Sequence, residues 1–138
     1  MDVNPYLMFN GRCEEAIEFY KSAVGATDAH LIRFSEAPPN AGPPGAQRPP
    51  ADKIMHANFR IGETTILASD GECGGATHFD GFSLSINAAS DTEAKKMFDA
   101  LARGGQVRMP LGKTFWTSSF GMLTDKFGVG WMVSVEHK

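Results

Sequence analysis

The two halves of this 138-residue chain repeat one order of predicted elements, and this repeat constrains the fold more than any other feature. Each half has the pattern of a strand, an amphipathic helix and then three strands. The helices align at an offset of 78 residues, which pairs Tyr20 with Phe98. Neither half has enough strands to close a core alone, so their sheets should join. The sequence therefore predicts one α+β domain over residues 1–138, built from βαβββ modules over about 1–70 and 80–138.

Alternating and helical spacing of apolar residues define the first module. Leu7 and Phe9 should point to one face of the first strand, and Tyr6 and Met8 to the other. Gly25 is typical of a residue that ends a helix. The predicted elements are strand 6–9, helix 14–23 and strands 28–35, 53–61 and 64–69.

Capping and turn residues divide the second module. Ser90 and Glu93 have the capping-box spacing that begins a helix. Asp125 and Gly128 occupy the first and last positions of a tight turn, so Asp125 is interpreted as a turn former rather than a general base. The predicted elements are strand 81–87, a helix from 91 to about 101 that ends before Gly104, strand 106–109 ending at Pro110, and a hairpin over 114–135 whose residues Trp131, Val133 and Val135 are expected in the core.

Two loops interrupt the first module. Residues 36–52 contain six of the eight prolines, which disfavour both helix and central strand, so a long mobile loop is expected there. It is interpreted either as a lid or binding loop or as a linker. Residues 70–80 form a second, glycine-bearing loop without the ending of a phosphate loop.

Composition excludes several classes of protein. The net charge is −3 and there is no Lys/Arg run, so a nucleic-acid or anionic-membrane surface is not expected. No apolar segment has the length of a membrane span, and no signal peptide is recognised, so a cytoplasmic protein is expected. Cys13 and Cys73 are expected as free thiols in a reducing compartment, although one bridge between them stays open. A helix start can lower the thiol pKa of Cys13, but no His/Asp context suggests a catalytic triad, so Cys13 is interpreted as structural.

Several segments together resemble the vicinal oxygen chelate superfamily, which includes glyoxalase I, extradiol dioxygenases and bleomycin-resistance proteins. The chain is most similar to its PhnB-like branch, often labelled "3-demethylubiquinone methyltransferase-like". The resemblance implies paired βαβββ modules whose mixed sheets curl around a cavity, and a homodimer. The segments that carry it are residues 5–11, 15–20, 55–57, 66–70, 109–111, 114–116 and 124–131.

Metal-dependent members of that superfamily place His or Glu ligands on the first and last strands of each module. The matching positions here carry no imidazole, carboxylate or thiolate, which are the ligands that such metals prefer. The sequence therefore predicts no metal site and no cofactor, and a divalent metal is expected only if the strand register is misread. The matching positions are Tyr6, Leu67 or Ser69, Phe82 or Ser83, and Met132 or Ser134, while Glu136 and His137 come too late in the chain.

The same strands supply the candidate ligand-binding residues. His56 lies in mid-strand, where either a structural histidine or a ligand contact is compatible with the pattern. Trp116 is either a cavity wall or core, and His30 and His78 are expected at the surface. No adenosyl-binding loop is recognised. The predicted ligand-binding residues are Tyr6, His56, Ser69, Ser83, Trp116 and Met132.

These observations favour a metal-free protein that binds a small organic molecule as a homodimer. The rival hypothesis is a metal-dependent lyase, isomerase or dioxygenase acting on vicinal oxygens. A partner-binding module that uses the loop over 36–52 is a third interpretation. Whether the chain is an enzyme is left open.

Overall fold

The computed structural model describes residues 1–38, 49–71 and 77–135, and it contains two compact units, Met1–Thr77 and His78–Lys138. In the described residues each unit has one α-helix and one four-stranded mixed sheet, and neither sheet is closed. The predicted α+β class and the βαβββ order of elements are confirmed. The joining of the two sheets around a cavity and the homodimer stay predictions.

The first unit matches the predicted elements closely. Its sheet has the order β1-β4-β3-β2, in which β1 and β4 are parallel and the other neighbours are antiparallel. A short 3₁₀ turn, Phe34–Glu36, follows β2, and residues 39–48 of the proline-rich loop lie outside the described residues. The elements are β1 (Tyr6–Met8), α1 (Cys13–Val24), β2 (Thr27–Arg33), β3 (Ile54–Ile61) and β4 (Thr64–Ser69).

Helix α1 covers one face of this sheet and leaves the other open. Tyr20 of the helix stacks on Phe59 of β3, with ring centroids 6.1 Å apart, and both side chains are fully buried. Leu7 on β1 is buried on the same side, whereas Tyr6 and Met8 are exposed, as the alternation predicted. Burial of large apolar and aromatic side chains of this kind stabilises a domain by roughly 1.5–3 kcal/mol each. Helix α1 therefore does not pack against the side chains of the open face.

The second unit repeats this arrangement. Its sheet has the order β5-β8-β7-β6. The edge strand β5 and its neighbour β8 are parallel, as β1 and β4 are in the first sheet. Helix α2 has the same 12 residues of length as α1 and begins 78 residues later, at Asp91 instead of Cys13. The repeat seen in the sequence is thus a repeat of structure. The elements are β5 (Leu84–Ala88), α2 (Asp91–Ala102), β6 (Gln106–Gly112), β7 (Phe120–Thr124) and β8 (Gly130–Val135).

The turn between β7 and β8 is built on Asp125, which is 3% exposed. Its carboxylate accepts hydrogen bonds from the amides of Phe127 and Val129, and from Nε1 of Trp131 at 2.8 Å. The amide of Gly128 closes the turn on the Asp125 carbonyl at 2.9 Å. The predicted turn role of Asp125 and the core position of Trp131 are confirmed.

Three strand boundaries differ clearly from the prediction, and the first is the start of β5, which lies at Leu84 rather than at residue 81. Strand β6 continues through Pro110, because it is an edge strand and the pairing skips from Met109 to Gly112, so no ladder bond needs the missing proline N–H. Strand β7 begins at Phe120 rather than at residue 114. Before it, the Thr114 hydroxyl accepts from the amides of Trp116 and Thr117, which bends the backbone into a loop.

No helix among the described residues has the length and apolar character needed to cross a lipid bilayer. Residues 72–76, which include Cys73, and residues 136–138, which include Glu136 and His137, lie outside the described residues. Cys13 is a free cysteine, so the expected free thiol is confirmed there and the alternative of a bridge to Cys73 is not formed.

Candidate functional site

The open face of the first sheet brings Tyr6 and His56 together. The Tyr6 hydroxyl lies 3.3 Å from Nδ1 of His56, and the two ring centroids are 5.9 Å apart at an angle of 44°. Strand β4 separates their strands, so the two side chains meet across it. Both residues belong to the predicted set, and the sequence did not indicate that they touch.

Apolar side chains lie beside this polar pair on the same face, together with the polar residues Asn58 and His30. Ile32 lies opposite His56 on β2, and Leu67 lies opposite Tyr6 on β4. Met8, two residues beyond Tyr6, is 55% exposed and Ile32 is 43% exposed. A few polar groups among flexible apolar ones are typical of surfaces that bind small molecules.

Ser69 is also on this face by alternation, but it is 3% exposed. Its hydroxyl accepts a hydrogen bond from the Gly71 amide at 3.1 Å, and its carbonyl accepts from the Phe9 amide at 2.9 Å. These bonds fix the loop that follows β4. A ligand contact by Ser69 stays a prediction, and its position gives it less access than Tyr6 or His56.

Ser83, Met132 and Trp116 belong to the second unit. Met132 lies on the open face of that sheet, opposite Ser85 on β5 and Met122 on β7, and Met122 lies opposite Met109. Sequence reasoning missed this row of three methionines, although the alternation of β7 and β8 contained the signal. Ser83 precedes β5, is exposed and lies beside Gly130, where an added Cβ would be 3.0 Å from its hydroxyl oxygen.

Trp116 lies in the loop before β7 and is 54% exposed. Its ring meets Phe120 edge-on, with centroids 5.4 Å apart, and Phe115 at 4.8 Å. Trp116 is therefore not part of the buried core. A contact with ligand stays a prediction for Ser83, Met132 and Trp116.

The start of helix α1 is occupied by a buried side chain of the protein itself. Asp70, 1% exposed, accepts from the Gly11 amide at 2.9 Å and from the Cys13 amide at 2.7 Å through one oxygen. Its other oxygen accepts from the Ile54 amide at 2.7 Å. Free amides at a helix start can bind an anion. Here Asp70 takes that role, so these amides are not available to the carboxylate or phosphate of a ligand.

The structural interpretation of Cys13 is confirmed, and the alternative of a lowered thiol pKa is wrong. Cys13 is fully buried, and burial together with the carboxylates of Asp70 and Glu14 raises the pKa of its thiol to about 12. Desolvation and neighbouring negative charge both disfavour a thiolate and outweigh the helix start. A structural thiol fits this environment.

A charged pair lies at the edge of the first unit, away from the Tyr6–His56 contact. The Arg33 guanidinium donates to both oxygens of Glu14, and it also donates to the Asp52 carbonyl at 2.7 Å. The hydrogen bond from Arg33 holds the pKa of Glu14 below its usual value. Exposed pairs of this kind contribute little to stability, because solvent screens them. We conclude that this pair has a structural role and connects helix α1 to β2.

The described residues offer no fit for a metal ion held by the usual ligands. Residues 1–38, 49–71 and 77–135 contain no group of three His, Cys, Asp or Glu side chains that could hold one. The exposed residues His30 and His78 lie at the surface, as predicted. At the positions that the superfamily would use, the structure has a phenol, hydroxyls, thioethers and hydrocarbon instead.

The fold is that of glyoxalase-like proteins. FosX from Listeria monocytogenes, a fosfomycin resistance protein, shares it with a TM-score of 0.65 over 99% of this chain and 93% of its own. The identity is 9%, so this likeness concerns the fold alone. The class of protein is therefore defined by its fold, an α+β protein with glyoxalase-like architecture.

Within that class, the chain belongs to the family described as 3-demethylubiquinone-9 3-methyltransferase, whose model matches residues 1–134. Protein YjdN of Escherichia coli is 39% identical over 98% of this chain and 95% of its own. Protein PA1353 from Pseudomonas aeruginosa is 42% identical, with a TM-score of 0.83 over 100% of this chain and 99% of its own. The PhnB protein from Bacillus cereus, a putative 3-demethylubiquinone-9 3-methyltransferase, is 27% identical, with a TM-score of 0.77 over 98% and 99%.

Proposed function

We propose that this protein binds a small organic molecule on the open face of its first sheet, without a protein-held metal ion. The observation that carries the proposal is the contact between Tyr6 and His56, 3.3 Å from hydroxyl to Nδ1, on a face that helix α1 does not cover. Fold membership alone would not support a function.

The chemistry of this face supports an organic ligand rather than an ion. Tyr6 and His56 offer one polar anchor, and the exposed side chains of Met8 and Ile32 offer apolar contact on either side. Met side chains adapt to ligands of irregular shape. In the second unit, described by itself, Ser83, Trp116 and Met132 stay separate proposed ligand contacts. The proposal includes a cytoplasmic location and a homodimer.

Ligand screening with matched variants tests the proposal. A library of small organic molecules is screened by thermal shift, and hits are checked through the methyl resonance of Met8. His56→Gln should weaken binding of such hits about ten-fold, because it removes the imidazole contact. His78→Gln is the matched control, since His78 is an exposed histidine outside the first unit. Equal effects of both substitutions, or hits that leave Met8 unperturbed, would reject the site.

Two enzyme assays separate binding from catalysis. The rival hypothesis, a metal-dependent lyase, isomerase or dioxygenase, predicts turnover of methylglyoxal with glutathione after addition of zinc, nickel, manganese or iron. The family description predicts methyl transfer from S-adenosylmethionine to a demethylated quinol. We expect neither reaction. If either assay shows turnover, and His56→Gln abolishes it, the protein is an enzyme and the proposal of a binding protein is wrong.

A further inference from the structure

The geometry of the contact between Tyr6 and His56 indicates which ring nitrogen of His56 carries the proton. Strands β1 and β3 lie on either side of β4, about 10 Å apart. The two side chains therefore lean toward each other over β4, and only Nδ1 of the imidazole faces the phenol, at 3.3 Å. Nε2, on the far side of the ring, makes no hydrogen bond to any of the described residues.

The chemistry of the two groups decides the direction of this hydrogen bond. A phenol is a good O–H donor, and the unprotonated imidazole nitrogen is a basic acceptor. The reverse arrangement would place an N–H against the weaker phenol acceptor. It would also leave the Tyr6 O–H without a protein acceptor among the described residues, since His56 is its only partner there. The arrangement that satisfies both groups has the Tyr6 hydroxyl as donor to Nδ1 and the remaining ring proton of neutral His56 on Nε2.

We infer that Tyr6 is a positioning residue that holds His56 as an Nε2–H donor, so that the ligand of this face carries an oxygen acceptor on an apolar body. The inference rests on the proposed function of the same face. The acceptor is a carbonyl or carboxylate oxygen bound by Nε2–H, and the apolar body contacts Met8 and Ile32, which are 55% and 43% exposed. Ligands whose only polar group is a donor, such as amines, have no partner at Nε2–H.

The first experiment measures the tautomer. In mildly alkaline buffer, where imidazoles are neutral, ¹⁵N spectra of histidine-labelled protein distinguish the protonated nitrogen from the bare one. The His56 signals are assigned with His56→Gln, and exposed His30 is the internal reference. Because a free neutral histidine already favours Nε2–H, we expect a larger fraction of this tautomer at His56 than at His30 in the native protein, and a fall to the His30 fraction in Tyr6→Phe. An Nδ1–H tautomer overturns the inference, and so does a tautomer that Tyr6→Phe leaves unchanged.

The spectrum of the native protein tests the inference even if Tyr6→Phe folds poorly, because the tautomers of His56 and His30 are compared there without any substitution. The hydroxyl of Tyr6 is on an exposed side chain, so removing it leaves the core untouched.

The second experiment uses three probes of similar shape. Benzoate carries an anionic acceptor, acetophenone a neutral one, and toluene none. We expect benzoate and acetophenone to shift the Nε2 resonance of His56, toluene to leave it unchanged, and Tyr6→Phe to weaken the acceptor probes about five-fold. The comparison of benzoate with acetophenone distinguishes carboxylate from carbonyl ligands.

The outcomes separate the inference from the proposed function. If all three probes shift the Met8 methyl resonance equally and none shifts Nε2, the face binds small molecules but the acceptor requirement is wrong. If no probe reaches Met8 or His56, the proposed function of this face fails together with the ligand class. In that case the native tautomer still tests the positioning role of Tyr6.

Discussion

At the scale of single residues, the environment of a side chain outweighs its place in an element. Cys13 begins helix α1, where the helix dipole favours a thiolate. In the folded chain it is fully buried beside the carboxylate of Asp70, and both effects raise the pKa of its thiol to about 12. A helix start taken alone favours an activated thiol, but the buried environment of Cys13 in the folded chain makes its thiol unreactive.

Thiol labelling checks this contrast. In a Cys73→Ser background, only Cys13 remains of the two cysteines. With a pKa of about 12, roughly one molecule in ten thousand is a thiolate at pH 8, so the native protein should not react with Ellman's reagent within hours. The same protein should release one equivalent of chromophore in concentrated guanidinium chloride. Rapid labelling of the folded protein would contradict the buried position.

The raised pKa also predicts how stability depends on pH. Below pH 9 the Cys13 thiol is protonated in both the folded and the unfolded chain, because its ordinary pKa is 9.0. Between pH 9 and about 12 only the unfolded chain loses this proton, so the free energy of unfolding falls as the pH rises through this window.

Urea unfolding of Cys13→Ala and of the parent measures this dependence across the same window. The parent should lose up to about 1.4 kcal/mol more per pH unit than the variant. Parallel slopes would contradict the pKa shift, whatever the difference in absolute stability.

The contacts between residues of the site could not be predicted from the sequence. Alternation along β1 and β3 was enough to predict that Tyr6 and Met8 share one face and that His56 faces away from Ala57. The contact between Tyr6 and His56 needs the strand order β1-β4-β3, which depends on pairing between residues 50 positions apart. Periodicity within one strand contains no such information.

At the scale of elements, the two helices have equal length but different N-termini. Helix α2 has a local cap, in which Ser90 accepts from the Glu93 amide at 3.1 Å. The Glu93 carboxylate accepts from Ala89 at 3.0 Å rather than from the N-cap residue itself. Helix α1 has no side-chain cap at Arg12, and the distant Asp70 supplies its acceptor. The first solution is visible in four consecutive residues, whereas the second appears only after β4 has paired.

Substitutions should separate the two solutions by their free energies of unfolding. Ser90→Ala removes one exposed cap and should cost about 1 kcal/mol. Asp70→Asn replaces a buried carboxylate that accepts three amide hydrogen bonds, and it turns an amide donor toward one of those N–H groups. The expected cost is on the order of 3 kcal/mol. Urea unfolding followed by circular dichroism measures both.

Asp2→Asn is the matched control for Asp70→Asn, since Asp2 is exposed in the same unit and the chemical change is identical. It should change the free energy of unfolding by less than about 0.5 kcal/mol. A similar loss in Asp2→Asn and Asp70→Asn would show that net charge, and not the buried hydrogen bonds, determines the effect.

Element boundaries were predictable where a cap or turn residue marks them, as at Gly25, whose φ of 70° ends helix α1 in the left-handed region. They were not predictable where pairing decides. Pro110 would end a central strand but is tolerated in edge strand β6, and the edge position depends on the order of the whole sheet.

At the scale of the whole molecule, the repeat preserves a backbone plan while the side chains diverge. The sheets have corresponding orders and the helices start 78 residues apart. The open face of the first sheet carries the Tyr6–His56 pair, and that of the second carries the row Met109, Met122 and Met132. Duplicated architecture therefore does not imply duplicated chemistry, which is why the fold was predictable from the sequence and the ligand was not.

A homodimer remains an expectation from the resemblance to the superfamily. Light scattering coupled to size-exclusion chromatography should give twice the chain mass of 14.9 kDa. A constant mass of one chain across the accessible concentrations would contradict it.

Metal content provides the test for the molecule as a whole. A divalent metal needs imidazole, carboxylate or thiolate ligands, and no three such side chains converge within the described residues. Purified protein should therefore contain less than stoichiometric zinc, iron, nickel and manganese by mass spectrometry, and a chelator should leave the thermal midpoint unchanged. Tyr6→His is the positive control, because it places a second imidazole beside His56 and should make the midpoint rise with added zinc. One equivalent of tightly held metal in the native protein would contradict metal-free binding and would favour the enzyme hypothesis.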